Sequence, residues 1–158
     1  MKVSIIKAQD NHSIDCVDAL QKSELGRVYF SKENSATNAV KDGISKGEIF
    51  VAINKEGLCV GFIWVVENGS FHSFPYLHII AVKEEYRNLG IGKKLLQYFE
   101  DTNSKEHTKL FLVVADFNTG AKRLYQSIGY QEVGVIPGLY KNGIKEYLMM
   151  KRIPSPLL

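Results

Sequence analysis

At 158 residues, with 45% apolar and 23% charged residues, the chain has the size of a single domain, residues 1–158, that needs neither disulfides nor a structural metal to hold its core. A net charge of +3 with no run of five basic residues argues against nucleic acid as a partner, and no window holds the ~18 apolar residues that cross a bilayer, so no membrane partner and a cytoplasmic location are expected. Cys16 and Cys59, with the scattered His12, His72, His78 and His107, form neither a disulfide framework nor a metal-ligand cluster.

Residues 3–7 alternate weakly and read as a short strand. Asp10 and Asn11 offer N-cap chemistry to a helix with apolar positions at Ile14, Val17, Ala19 and Leu20. Ser35 or Thr37 caps a second helix that runs through Ile44 and stops near Gly47, and residues 49–53 resume strand character. A hairpin turn at residues 54–57 leads into a β-branched and aromatic strand over 58–66. Asn68-Gly69 is a turn signal before a further strand at 76–82, which makes an antiparallel meander. From Gly90 to about Ser104, Ile91, Leu95, Leu96 and Phe99 recur at helical spacing, and the apolar run 110–115 reads as a buried strand. Ala121, Leu124, Tyr125 and Ile128 share one face of a helix over 118–128 that Gly129 stops. Two strands follow, near 130–136 and 145–151, and the tail at 153–158, with Pro154 and Pro156, reads as irregular.

The chemistry concentrates where the 76–82 strand ends, a short loop carries Arg87, and Gly90 and Gly92 open the amphipathic helix. Lacking Cβ atoms, these glycines let backbone approach a ligand, and first-turn amides at the positive end of a helix dipole favour phosphate. Two glycines also serve a plain turn. A Rossmann fingerprint fails because Leu95 stands where a third glycine is needed, and a P-loop fails because Gly92-Lys93 is followed by Lys94.

Arg87-x-x-Gly90-x-Gly92, directly after Ile80-Ala81-Val82, resembles the Arg/Gln-x-x-Gly-x-Gly/Ala pattern of the GNAT superfamily of N-acetyltransferases. Asn118-x-x-Ala121-x-x-Leu124-Tyr125-x-x-x-Gly129-Tyr130 resembles that superfamily's second motif, and Tyr147-Leu148-Met149-Met150-Lys151 its final strand. The first half, to about Ser73, matches only in the order of its elements and would shape an acceptor pocket. The resemblance implies an α/β (α+β) fold: a mixed, mostly antiparallel sheet of six to seven strands with a splayed central parallel pair, flanked by about four helices. It also implies acetyl-CoA as co-substrate, an amine acceptor and no metal. The backbone of Ile80, Ala81 and Val82 would hydrogen-bond the pantetheine arm. The amides of Asn88, Leu89, Gly90, Ile91, Gly92 and Lys93, with Arg87 nearby, would bind the pyrophosphate. Asn118 would contact the pantetheine, and Tyr125 would stand beside the thioester sulfur.

When an amine attacks a thioester, negative charge develops on the carbonyl oxygen and then on the departing sulfur, so donors are needed at both places. Tyr125, with an ordinary phenol pKa of about 10, stays protonated at neutral pH and suits the general acid. Packing in the core is the bland alternative for it. The N-terminal acetyltransferases of ribosomal proteins, which the chain partly resembles, carry a glutamate five residues before the motif asparagine, where this chain has Val113. Tyr76 and His78, which alternate with Leu77, and Glu67 are the substitutes available for proton removal. Tyr29, Phe30, Phe71, Phe74 and Tyr140 fall in loops or element ends and fit an acceptor site, an edge cover or a homodimer contact. A non-catalytic acyl-CoA sensor and a pure interaction module are the rival readings.

Overall fold

In the computed structural model, which describes residues 1–154, the elements run β1 (Val3–Lys7), α1 (Ser13–Gln21), α2 (Glu24–Tyr29), α3 (Ser35–Ser45), β2 (Ile49–Asn54), β3 (Cys59–Ser70) and β4 (Phe74–Val82). Then follow α4 (Ile91–Asn103), β5 (Lys109–Ala115), α5 (Thr119–Ser127), β6 (Gln131–Pro137) and β7 (Lys145–Arg152). The part of the expected tail beyond Pro154 lies outside the described residues. Strand order is β1-β2-β3-β4-β5-β7-β6, with β4 and β5 parallel. This is the mixed, mostly antiparallel fold the resemblance implies, with five α-helices where about four were expected.

Two compact units divide the chain. The first holds Met1–Val65 and Ile79–Tyr98. In it β2 pairs antiparallel with β1 and with β3, from Val3↔Asn54 to Lys7↔Phe50 and from Ile49↔Trp64 to Ile53↔Cys59. Val51, Ala52, Val60, Phe62 and Ile63 are buried, as are Leu20 of α1 and Val40 of α3. Helix α1 starts at Ser13 behind a 3-10 turn at Asp10–His12, so its buried positions are Cys16, Ala19 and Leu20, and Ile14 is 81% exposed rather than in the core. The extra helix, α2, is capped by Ser23 Oγ, which accepts from the Gly26 amide at 2.9 Å. A Cβ on Gly26 would come within 1.7 Å of the Leu20 carbonyl oxygen, so only glycine lets α2 follow α1 this tightly.

The second unit holds Val66–His78 and the chain from Phe99 onward. Its β4–β5 ladder pairs Tyr76↔Phe111 and Leu77↔Leu112, while β5 runs beside β7 from Lys109↔Arg152 to Ala115↔Glu146. Strand β6 pairs with β7, with a shift between Glu132 and Gly134. Side chains directly opposite one another lie on one sheet face. One face of this unit therefore carries Leu77, Leu112 and Met149, all buried. The other carries Tyr76, Phe111, Val113, Ala115, Met150, Leu148 and Glu146.

The chain reverses before β4 at Phe71 and His72, both at positive φ, and not at Asn68-Gly69, which lies inside β3. A Cβ on Gly69 would sit 2.8 Å from Tyr76 Cβ and 2.9 Å from Val66 Cβ. The glycine serves close side-chain packing, and the turn falls to residues without typical turn chemistry.

Candidate active site

Strand β4 ends at Val82 and a 3-10 turn at Glu84–Tyr86 leads to Arg87, whose Nε donates to the Val82 carbonyl (3.3 Å) and whose Nη2 donates to the Lys22 carbonyl (2.9 Å). The guanidinium thus stitches the loop to the end of α1. Asn88 and Gly90 take positive φ of 62° and 82°, and a Cβ on Gly90 would meet nothing within 4 Å. The first helical bond at the head of α4 is Lys94 N–H to the Gly90 carbonyl, 3.2 Å. Among the described backbone bonds outside regular elements, none has an amide of residues 88–93 as donor, and the first-turn amides of a helix have no acceptor within it. Leu89, Gly92 and Lys93 follow in the same loop and first turn as Asn88, Gly90 and Ile91. The preceding strand is held closely: a Cβ on Gly61 of β3 would lie 2.9 Å from the Ala81 carbonyl oxygen and 3.2 Å from Val82 Cα. Ile80 and Val82 are half-buried, and Ala81 is buried. Lys83 is tied to Asp15 of α1 at 2.5 Å.

In the second unit, Asn118 stands at the N-cap of α5, half-buried, with no side-chain capping bond. Its amide donates to the Ala115 carbonyl at 2.9 Å, which joins α5 directly to the end of β5. Tyr125 lies two turns along α5, 5% exposed, its ring 6.0 Å from that of Tyr130 and steeply tilted to it. Burial pushes the Tyr125 phenol well above its ordinary value. On β4, the Tyr76 and His78 rings are 5.9 Å apart on one face, and the Tyr76 and Tyr140 hydroxyls lie 3.4 Å apart. Burial, then Tyr140, Glu146 and Tyr125 in turn, raise the Tyr76 phenol as well. Tyr76 and His78 share one face of β4, as the alternation along that strand implies, and Tyr140 and Tyr125 lie near Tyr76. Glu67 is exposed on β3, and no described contact joins it to that group. The Phe71 ring meets Phe111 edge-to-face and the Phe74 ring meets it tilted, with centroids 5.3 and 5.4 Å apart.

Glu146 was not singled out in the sequence. It is 2% exposed, on β7 directly opposite Ala115. The signal was present: an acidic residue inside the alternating strand Lys145–Arg152, on the face that a partner strand completes. Gly61 was also overlooked, although an isolated glycine inside a strand signals close backbone approach.

Residues 45–132 match the family described as the acetyltransferase (GNAT) domain. An N-alpha-acetyltransferase, RimI, of Mycobacterium tuberculosis is 30% identical over 109 residues, which cover 68% of this chain and 68% of that protein. The solved structure of Ard1 from Thermoplasma volcanium is similar with a TM-score of 0.81 at 19% identity, over 98% of this chain and 100% of that one. An aminoglycoside 6'-N-acetyltransferase solved in complex with coenzyme A is similar with a TM-score of 0.75 at 20% identity, over 97% and 99% of the two chains. At those identities the two structures speak for the fold alone. The chain spans 28% and 53% of the lengths of two further curated relatives that it matches.

Proposed function

This chain belongs to the GNAT family of acetyltransferases, and from that premise we propose that it moves an acetyl group from acetyl-CoA to a primary amine of a small molecule or peptide by direct attack on the thioester. The observation that carries the reading is the head of α4. Residues 88–93 present amides at the positive end of a thirteen-residue helix, beside a glycine with open space where a Cβ would be. That cradle fits a diphosphate. In this reading Arg87 keeps the loop in shape through its two carbonyl bonds, and the backbone of Ile80, Ala81 and Val82 receives the pantetheine arm. Asn118, whose side chain makes no capping bond to α5, contacts the same arm.

Tyr125 is the general acid. Its raised pKa means that it is protonated at neutral pH, so it can donate a hydrogen bond to the charge that develops on the departing sulfur. A strand amide near Val82 serves the oxyanion. Tyr76 and His78 face the acceptor and move its proton outward. The free thiols Cys16 and Cys59 suit a reducing compartment, and the reading includes a cytoplasmic location.

Calorimetric titration with acetyl-CoA and CoA, followed by thiol-release assays against panels of amines and peptides with acetyl and longer thioesters, tests this. Binding of both ligands and release with at least one acceptor is the expected result. No binding of either ligand would reduce the glycine loop to a turn. Tight binding with no release on any acceptor would turn the reading to an acyl-CoA sensor.

A further inference from the structure

Strand β4 starts from a turn that the chain does not form easily. Ser73 N–H donates to the Ser70 carbonyl at 3.1 Å, and the two residues between them, Phe71 and His72, take φ of 55° and 62°. Asn and Gly are at home in such a left-handed pair, and a bulky aromatic is not. Phe71 nonetheless stands there, 68% exposed, with its ring set edge-on to Phe111 at 5.3 Å. Backbone strain and an exposed ring are both unfavourable, so their coincidence on one residue points to a use other than folding.

Phe71 opens a strip of rings within the second unit. Phe74, Tyr76 and His78 alternate on one half-buried face of β4, with the Tyr76 and His78 rings 5.9 Å apart. Phe111, directly opposite Tyr76 on β5, meets the Phe74 ring at 5.4 Å. The strip ends in two cations. Lys109, on the same face of β5 as Phe111, sets its Nζ 5.5 Å from the centre of the Phe74 ring, and Arg152 of β7 pairs directly opposite Lys109. Like charges opposite one another on a sheet repel, and among the described residues neither forms an ion pair. Glu146, the acid that register places on this face, lies opposite Ala115 at the other end of β7, about 20 Å along the strand from Arg152.

We propose that Lys109 and Arg152 form an anion subsite of the acceptor pocket, and that the acceptor is a peptide with an apolar stretch after its amine and a carboxylate about four residues on. This rests on the acetyl-transfer reading above, which sets the acceptor amine at Tyr76 and His78. From His78 to Phe74 is about 13 Å of strand, a span that an extended peptide covers in about four residues. The peptide's apolar side chains then lie on Phe71 and Phe74, and its acidic side chain meets Lys109 and Arg152. Charge complementarity disfavours polycationic acceptors, whose far ammonium would meet two cations.

Three synthetic peptides with a free α-amine, an amidated C-terminus and no lysine test this. They are Ala-Phe-Leu-Glu-Gly-Gly, the same peptide with Gln in place of Glu, and Ala-Glu-Leu-Phe-Gly-Gly, whose acid stands closer to the amine. The readout is the ratio of kcat/KM between peptides in thiol release, so a loss common to all of them cancels. In the parent protein the first peptide should exceed each of the other two by about tenfold, chiefly through KM. That ratio should shrink to within about twofold in Lys109→Gln/Arg152→Gln, and should fall in the parent protein as salt rises from about 0.05 to about 0.5 M. Phe71→Asn, which suits the turn because Asn accepts positive φ, should raise KM for all three peptides about three- to tenfold. Equal kcat/KM for the Glu and Gln peptides in the parent protein, or a preference that survives the double variant, would overturn the subsite. If the double variant does not fold, the salt series decides, and a ratio indifferent to salt overturns it. An unchanged KM in Phe71→Asn overturns the apolar part. Calorimetric binding of the peptides to the CoA-loaded protein separates the two readings. Absence of thiol release with every peptide removes the transferase reading, while binding of the Glu peptide about tenfold tighter than the Gln peptide still supports the subsite and equal affinities remove it.

Discussion

At Tyr125, core packing and the proposed general-acid role fall on one side chain. Its phenol is 5% exposed and lies against Tyr130, and the same burial that makes it a core residue holds its proton. Tyr125→Phe keeps the ring and removes the donor. The expected result is a fall in kcat of about 10²- to 10³-fold with acetyl-CoA affinity nearly unchanged, read from single-turnover thiol release beside calorimetry. An unchanged chemical rate would return Tyr125 to the core. The burial of Tyr125 was legible in the sequence because the helical face of α5 points to it. Glu146 was not, because nothing in a single strand says which of its side chains another strand will cover. The pairing of Ala115 with Glu146 decides that.

At the scale of elements, the head of α4 and the packing of α3 separate two uses of glycine. Gly90 sits at φ +82° with no atom within 4 Å of a Cβ, so Gly90→Ala meets strain but no clash. A stability loss of about 1 kcal/mol is expected, with a larger proportional loss of acetyl-CoA affinity, because the added methyl enters the loop where the diphosphate would lie. Equal affinity in the variant would argue that the loop does not meet the ligand. Gly43 of α3 is the reverse case: a Cβ there would lie 2.7 Å from Ile49 Cδ1 and 2.9 Å from the Trp64 ring. Gly43→Ala should cost about 1–3 kcal/mol in denaturant unfolding and leave acetyl-CoA binding intact. The helices α3, α4 and α5 were legible from periodicity and stop signals. Helix α2 was not, since six residues with a central glycine carry little propensity and form only where α1 ends beneath them. The turn after β3 was misplaced for a related reason: Gly69 is used for packing against Tyr76, which local sequence does not reveal.

For the whole molecule, Tyr76, Tyr125 and Tyr130 share one consequence, since burial raises all three phenols. In the unfolded chain they ionise near pH 10, while in the folded protein they stay neutral, so above that pH the unfolded state binds fewer protons and stability falls as pH rises. Thermal unfolding midpoints should be level up to about pH 9 and drop between about pH 10 and 12. The Tyr130 hydroxyl has no hydrogen-bond partner among the described residues. Tyr130→Phe should therefore cost less than about 1 kcal/mol at neutral pH and flatten the alkaline drop. A midpoint insensitive to pH in that range would contradict the burial of these phenols. What the amino-acid order alone determined is the succession of the strands and of every helix but α2, with the glycine loop that opens α4, because periodicity, caps and backbone freedom are local properties. Only the tertiary structure decided which face of the β5–β7 ladder carries a buried carboxylate, where Tyr76 points, and which glycines pack rather than turn. Those follow from register between strands distant in sequence, and register is set by the whole sheet at once.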